Sequence, residues 1–86
     1  MAHSFTITLT DELSEVLGRF RAKITGSGGR FEGDMDYGFF DGETVLGLIK
    51  GEYRYISGDE IEIAITHKPF NVPYGKIESE IKRYFT

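Results

Sequence analysis

Apolar residues recur at every second position near the start of the chain, where Phe5, Ile7 and Leu9 alternate with Thr6 and Thr8. A period of two is the signature of a half-buried strand. The period then lengthens. Leu13, Val16, Leu17, Phe20 and Ile24 fall on one face of a helix predicted over 11–25, with Thr10 placed to cap it and Asp11 and Glu12 favoured by the positive end of its dipole. Arg19, Arg21 and Lys23 lie toward the other end, and Gly26 is the expected terminator. Gly18 in mid-helix costs roughly 1 kcal/mol relative to Ala and suggests close packing.

The period returns to two in the second half. Phe31, Gly33, Met35 and Tyr37 alternate with Glu32, Asp34 and Asp36, and Asp41-Gly42 reads as a hairpin turn. A third strand over 43–56 puts Val45, Gly47, Ile49, Gly51, Tyr53 and Tyr55 on one face. After a Ser57-Gly58-Asp59 turn, a fourth strand contributes Ile61, Ile63 and Ile65. Keeping the apolar faces together sets the register, because a slip of one residue turns a strand inside out. On that test Tyr55 opposes Ile61, Tyr53 opposes Ile63 and Arg54 lies beside Glu62, while Phe31, Gly33 and Met35 should oppose Tyr53, Gly51 and Ile49. Parity also assigns Phe40, Leu46 and Leu48 to the outer face, where together they would form an apolar patch and a candidate interface.

Pro73 suits the first position of a closing helix in which Tyr74, Ile77, Ile81 and Tyr84 or Phe85 share a side and Lys76, Glu78, Glu80 and Lys82 point outward. The predicted architecture is one α+β domain over 1–86, ordered β-α-β-β-β-α. It is a four-stranded, antiparallel-rich sheet with both helices packed on one face.

Composition narrows the setting. The chain has 86 residues, 40% of them hydrophobic, enough for a single modest core. It has no cysteine, so no disulfide framework or thiolate metal site is available and a reducing, cytoplasmic compartment is expected. No apolar run approaches the roughly 20 residues that span a bilayer. The net charge is −4, and between residues 31 and 66 nine acids face only Lys50 and Arg54. Such a surface is a poor platform for the phosphates of nucleic acid, which are bound by clustered Lys and Arg.

Reactive constellations are missing. His3 and His67 pair with no acids at metal-ligand spacing, so no metal or cofactor is expected. Asp34 with Asp36, and Glu60 with Glu62, are side-by-side carboxylates on an open sheet that remain solvated. The serines lack a strand-to-helix elbow, and Gly26-Ser27-Gly28-Gly29 follows a helix instead of leading into one, unlike a phosphate loop. No catalytic residue is assigned and no enzyme is expected.

One family resemblance stands beside this reading. The run Gly47-x3-Gly51-x-Tyr53, the Asp59 turn, the strand Glu60 to Ile65, Lys68-Pro69-Phe70 and the ending Ile77-Glu78-x2-Ile81 resemble the small polyhydroxyalkanoic acid system (granule-associated) proteins of bacteria. That resemblance implies a β-α-β-β-β-α-like layout, a closing helix with an Ile-Glu pair, and a tie to storage-polyester granules without an established catalytic role. The expected function is association, as a homodimer or with a protein or polyester-granule partner. The alternative is a small-ligand pocket between sheet and helices, with Gly33, Gly47 and Gly51 providing space beside Tyr53.

Overall fold

The computed structural model describes residues 3–85. Its elements are β1 (His3–Thr8), α1 (Leu13–Gly26), β2 (Arg30–Gly33), β3 (Tyr37–Thr44), β4 (Gly47–Ser57), β5 (Glu60–His67) and α2 (Tyr74–Tyr84). The α+β class is as the periodicities predict, but the sheet has five strands where the pattern predicts four. Its order is β1-β5-β4-β3-β2, and every neighbouring pair is antiparallel.

Both helices bury their stripes against the same sheet face. Val16, Leu17, Phe20 and Ile24 of α1 and Ile77 and Ile81 of α2 join Ile49, Tyr53, Ile61, Ile63 and Ile65 in one core. Phe20 is its hub, stacked on Phe85 at 4.6 Å and edge-on to Phe40 at 4.8 Å. Pairs of this geometry add about 0.5–1.5 kcal/mol beyond the area they bury.

The helix ends differ in detail from the expectation. Glu12, not Thr10, is the N-cap of α1, and no side chain caps it. At the other end the helix runs through Gly26, and the left-handed residue that stops it is Gly28, with φ +88°. The Gly28 N–H donates to the Thr25 carbonyl and the Gly29 N–H to that of Ile24, the paired closure of a Schellman motif. Pro73 sits one position earlier than expected, as the N-cap of α2. Glu80, expected to point outward, is largely covered and bonds Arg83 at 3.0 Å.

The extra strand comes from two turns that the pattern does not reveal. Asp41 and Gly42 are not a turn but lie inside β3, opposite Lys50 and Ile49. Gly42 faces the core there, where the end of α1 comes close: a Cβ on it would lie 3.7 Å from the Gly29 Cα. The real first turn spans Asp34 to Tyr37, where the Asp34 carboxylate accepts the N–H groups of Asp36 (2.8 Å) and Tyr37 (3.0 Å). The second is Val45-Leu46, closed by Thr44, whose hydroxyl donates to the Gly47 carbonyl and accepts the Leu46 N–H. Gly47 supplies the positive φ (+114°) that ends this turn.

The turn at Asp34–Tyr37 reverses the parity of β3, and the turn at Val45-Leu46 restores it in β4. Phe40, expected on the outer face, is 3% exposed and sits in the core, whereas Met35, Tyr37 and Val45, expected inside, are exposed. Phe31 does not pair with Tyr53, nor Gly33 with Gly51 or Met35 with Ile49, because β3 lies between β2 and β4. Between β4 and β5 the expected register is the observed one: Tyr55 faces Ile61, Tyr53 faces Ile63, and Arg54 bonds Glu62 at 2.9 Å.

Glycines opposite aromatics complete the inner face. Gly38 pairs with Tyr53 and Gly51 with Phe40, so each ring lies across the bare backbone of its neighbour. Because Gly38 has no side chain, Phe31 reaches over β3 to stack on Tyr53 at 5.3 Å, and the Tyr53 hydroxyl donates to the Asp34 carbonyl at 2.6 Å.

Candidate functional site

Of the expected interface residues, Phe40 lies in the core, Leu46 packs partly against it, and Leu48 is half-buried on the outer side of β4. They do not form one outer-face patch. Leu46 belongs instead to the β3–β4 turn, where its neighbour Val45 is 87% exposed. The β5–α2 loop lies against this turn, since a Cβ on Gly47 would fall 2.7 Å from the Pro69 Cγ. Beyond Pro69, Phe70 is 96% exposed. Two adjoining loops thus present the two most exposed large apolar side chains among the described residues. The cue in the sequence is an aromatic residue in a loop bracketed by Pro69 and Pro73, where no element would bury it.

The outer face of the sheet is open and mostly polar. Tyr37 and Phe39 are each about half exposed on it. A depression of about 230 Å³ there is bordered by Tyr37, Glu52, Arg54 and Glu62. Its polar groups answer one another: Arg54 pairs with Glu62, and Tyr37 donates to Glu52 at 3.3 Å. The Glu52 charge beside Tyr37 pushes that phenol above its ordinary range.

The pocket residues expected from sequence separate into two groups. Gly33 and Tyr53 meet at a cleft of about 280 Å³ between α1 and the β2–β3 hairpin. Gly47 is at the loop junction described above, and Gly51 is filled by the Phe40 ring. The helix side of the cleft is Ser14, Leu17, Gly18 and Arg21, which at intervals of three and four residues form one stripe. That stripe is written in the sequence, but the apolar period selects only Leu17 from it. The floor is Phe31 and Tyr53, and Met35 forms the outer wall.

Electrostatically the cleft is two-ended. The Arg21 guanidinium lies 5.8 Å from the Phe31 ring centre. Asp34, at the hairpin end, is held below the usual carboxylate range by the N–H groups of Asp36 and Tyr37. Burial raises the Tyr53 phenol, with the Asp34 charge adding to the rise and Arg21 opposing it.

At the far edge His3 stacks on Tyr74 at 4.5 Å and approaches Glu78 at 3.5 Å, while the Lys68 Nζ lies 4.9 Å above the Tyr74 ring. Bonds from Lys82 and His3 lower the Glu78 carboxyl, with the Lys82 bond the larger influence. These contacts tie β1 to α2. Among the described residues no three His, Asp or Glu side chains gather as metal ligands, and no helix is long and apolar enough to cross a membrane. No protein-family model, no curated protein and no solved structure matches this chain.

Proposed function

We propose that this chain is a non-enzymatic, cytoplasmic association domain that works through the apolar tip formed by the β3–β4 turn and the β5–α2 loop. The observation that carries this reading is the exposure of Val45 and Phe70 on loops that touch. A folded chain gains nothing by holding a Phe in water, and burying such a side chain contributes roughly 1.5–3 kcal/mol. Single exposed apolar residues are ordinary, but two on loops that meet at Gly47 and Pro69 bring apolar surface to the same part of the molecule. Its partner is a second copy of the chain or an apolar surface, for which the storage-polyester granule implied by the sequence resemblance is the first candidate. Glu43 is the only acid on the β3–β4 turn and its flanks, and the β5–α2 loop has none. The tip therefore escapes the self-repulsion of the acidic sheet face.

The test is Val45→Glu with Phe70→Glu. Both side chains are solvated, so the variant should keep the fold and its denaturation midpoint. Sedimentation equilibrium should show the unmodified chain as a dimer and the variant as a monomer, or polyester particles should pellet the unmodified chain and release the variant. If the unmodified chain neither dimerises nor pellets, the reading is wrong.

A further inference from the structure

We propose that the cleft between α1 and the β2–β3 hairpin is a binding site for a small aromatic monocarboxylate. It does not depend on the tip. Three features of the cleft select this chemistry.

The first is the floor. Phe31 lies stacked at 5.3 Å on the buried Tyr53 ring, which backs it, and Leu17 and Met35 stand on either side. A flat apolar body can lie on these surfaces, with the Met35 thioether at its edge, a contact that sulfur makes well with aromatic rings. The second is the cation. Arg21 makes no ion pair with any described residue and projects over Phe31 at the helix end of the cleft. A guanidinium over an apolar floor matches a carboxylate with two parallel N–H···O bonds, stronger than neutral ones. The third is the opposite end. The Asp34 carboxylate is committed to the hairpin turn and stays ionised, so a second negative charge on the ligand would meet repulsion there. One carboxylate at the Arg21 end is the charge pattern that fits. A cleft of about 280 Å³ lies just below the roughly 300–1,000 Å³ of drug-sized sites, which limits the body to one or two fused rings.

Gly18 makes the site testable without disturbing the core. It lies in mid-helix on the cleft wall, and a Cβ built there meets nothing within 4 Å. Gly18→Leu should therefore fill the cleft while raising helix propensity.

The experiment is a titration of the isotope-labelled chain with 2-naphthoate, followed by amide shifts, with naphthalene-2-methanol and octanoate as companions. Binding should saturate, with the shifts concentrated at residues 14–21, 31–35 and 53. Arg21→Gln should weaken it about tenfold or more, and Gly18→Leu should abolish it in a chain at least as stable as the original. Non-saturating shifts spread over the surface would overturn the site. Equal affinity for naphthalene-2-methanol would overturn the carboxylate assignment, and equal or tighter binding of octanoate would overturn the aromatic one.

Discussion

Gly38 and Gly18 both lie inside regular elements, one in a strand and the other in a helix, yet the same substitution should act on them with opposite sign. At Gly38 the backbone has an ordinary φ, so an alanine there faces no conformational penalty; its difficulty is entirely spatial. A methyl group would stand closer to the Tyr53 Cε1 and hydroxyl than the 3.0 Å that real Cβ atoms respect, and 2.5 Å from the Glu32 carbonyl oxygen. Tyr53 has no easy retreat. It is 1% exposed, stacked on Phe31 and bonded to the Asp34 carbonyl. Forcing a methyl into a packed core costs about 1–3 kcal/mol, and losing the phenol bond adds about 0.5–1.5. Gly38→Ala should therefore destabilise the fold by about 2–4 kcal/mol. Gly18→Ala, with open space around it, should stabilise by about 0.5–1 kcal/mol. The assay is the urea midpoint at constant slope, read by circular dichroism. A cycle with Tyr53→Leu sharpens it, since removing the ring should remove most of the Gly38→Ala penalty. If Gly38→Ala costs less than about 0.5 kcal/mol, a close-fitting slot for Tyr53 over Gly38 does not exist and the aromatic row is loosely packed.

Two more outcomes concern the core and the hairpin turn. Ile63 is fully buried on β5 between Phe5 and Tyr53, so Ile63→Ala should cost about 2–5 kcal/mol in the same urea assay, and a midpoint that barely moves would contradict its place in the core. The Asp34 carboxyl titrates below its ordinary 3.8 because its charged form is bonded to two N–H groups, so it stabilises the fold above that pH and the contribution fades as pH falls through the lowered value. Asp34→Ala should flatten the acid limb of a stability–pH profile below about pH 4, while an unchanged limb would show that the turn does not depend on that charge.

The strand pairing that is legible in the sequence is the one with a visible turn and strict alternation on both sides. Gly58, with φ +55°, closes the β4–β5 hairpin, and Ile61, Ile63 and Ile65 leave one choice of face. The β2–β3–β4 region is harder for physical reasons. Asp41-Gly42 has the composition of a tight turn, but both residues lie within β3, where Gly42 faces the end of α1 and the chain does not reverse. The true turn at Val45-Leu46 is built from apolar residues and is held by the Thr44 hydroxyl and by Gly47, so hydropathy alone conceals it. Running the odd-numbered face of β2 straight through the Asp34–Tyr37 turn carries Phe40 to the wrong side. The cleft is half legible: Gly33 and Tyr53 point to it, whereas Arg21 reads as a cation at a helix end. Its position over Phe31 depends on the hairpin folding back beneath α1.

The order β1-β5-β4-β3-β2 has a consequence for how the sheet is held in time as well as in space. Strands β2 to β5 form a meander in which each strand meets the next across a turn, so their pairings are local. Only β1 is recruited from a distance, His3 meeting Ile65 and Ile7 meeting Ile61. Closing a loop of roughly sixty residues costs about 2 kcal/mol more in chain entropy than closing a four-residue turn. That cost falls on one seam, with the stacking of His3 on Tyr74 helping to hold it shut. As an edge strand, β1 can leave without breaking any pairing but its own. When it leaves, the unpaired N–H and C=O groups of β5, among Ile61, Ile63 and Ile65, become an open sheet edge, the kind of template on which a second chain can add a strand.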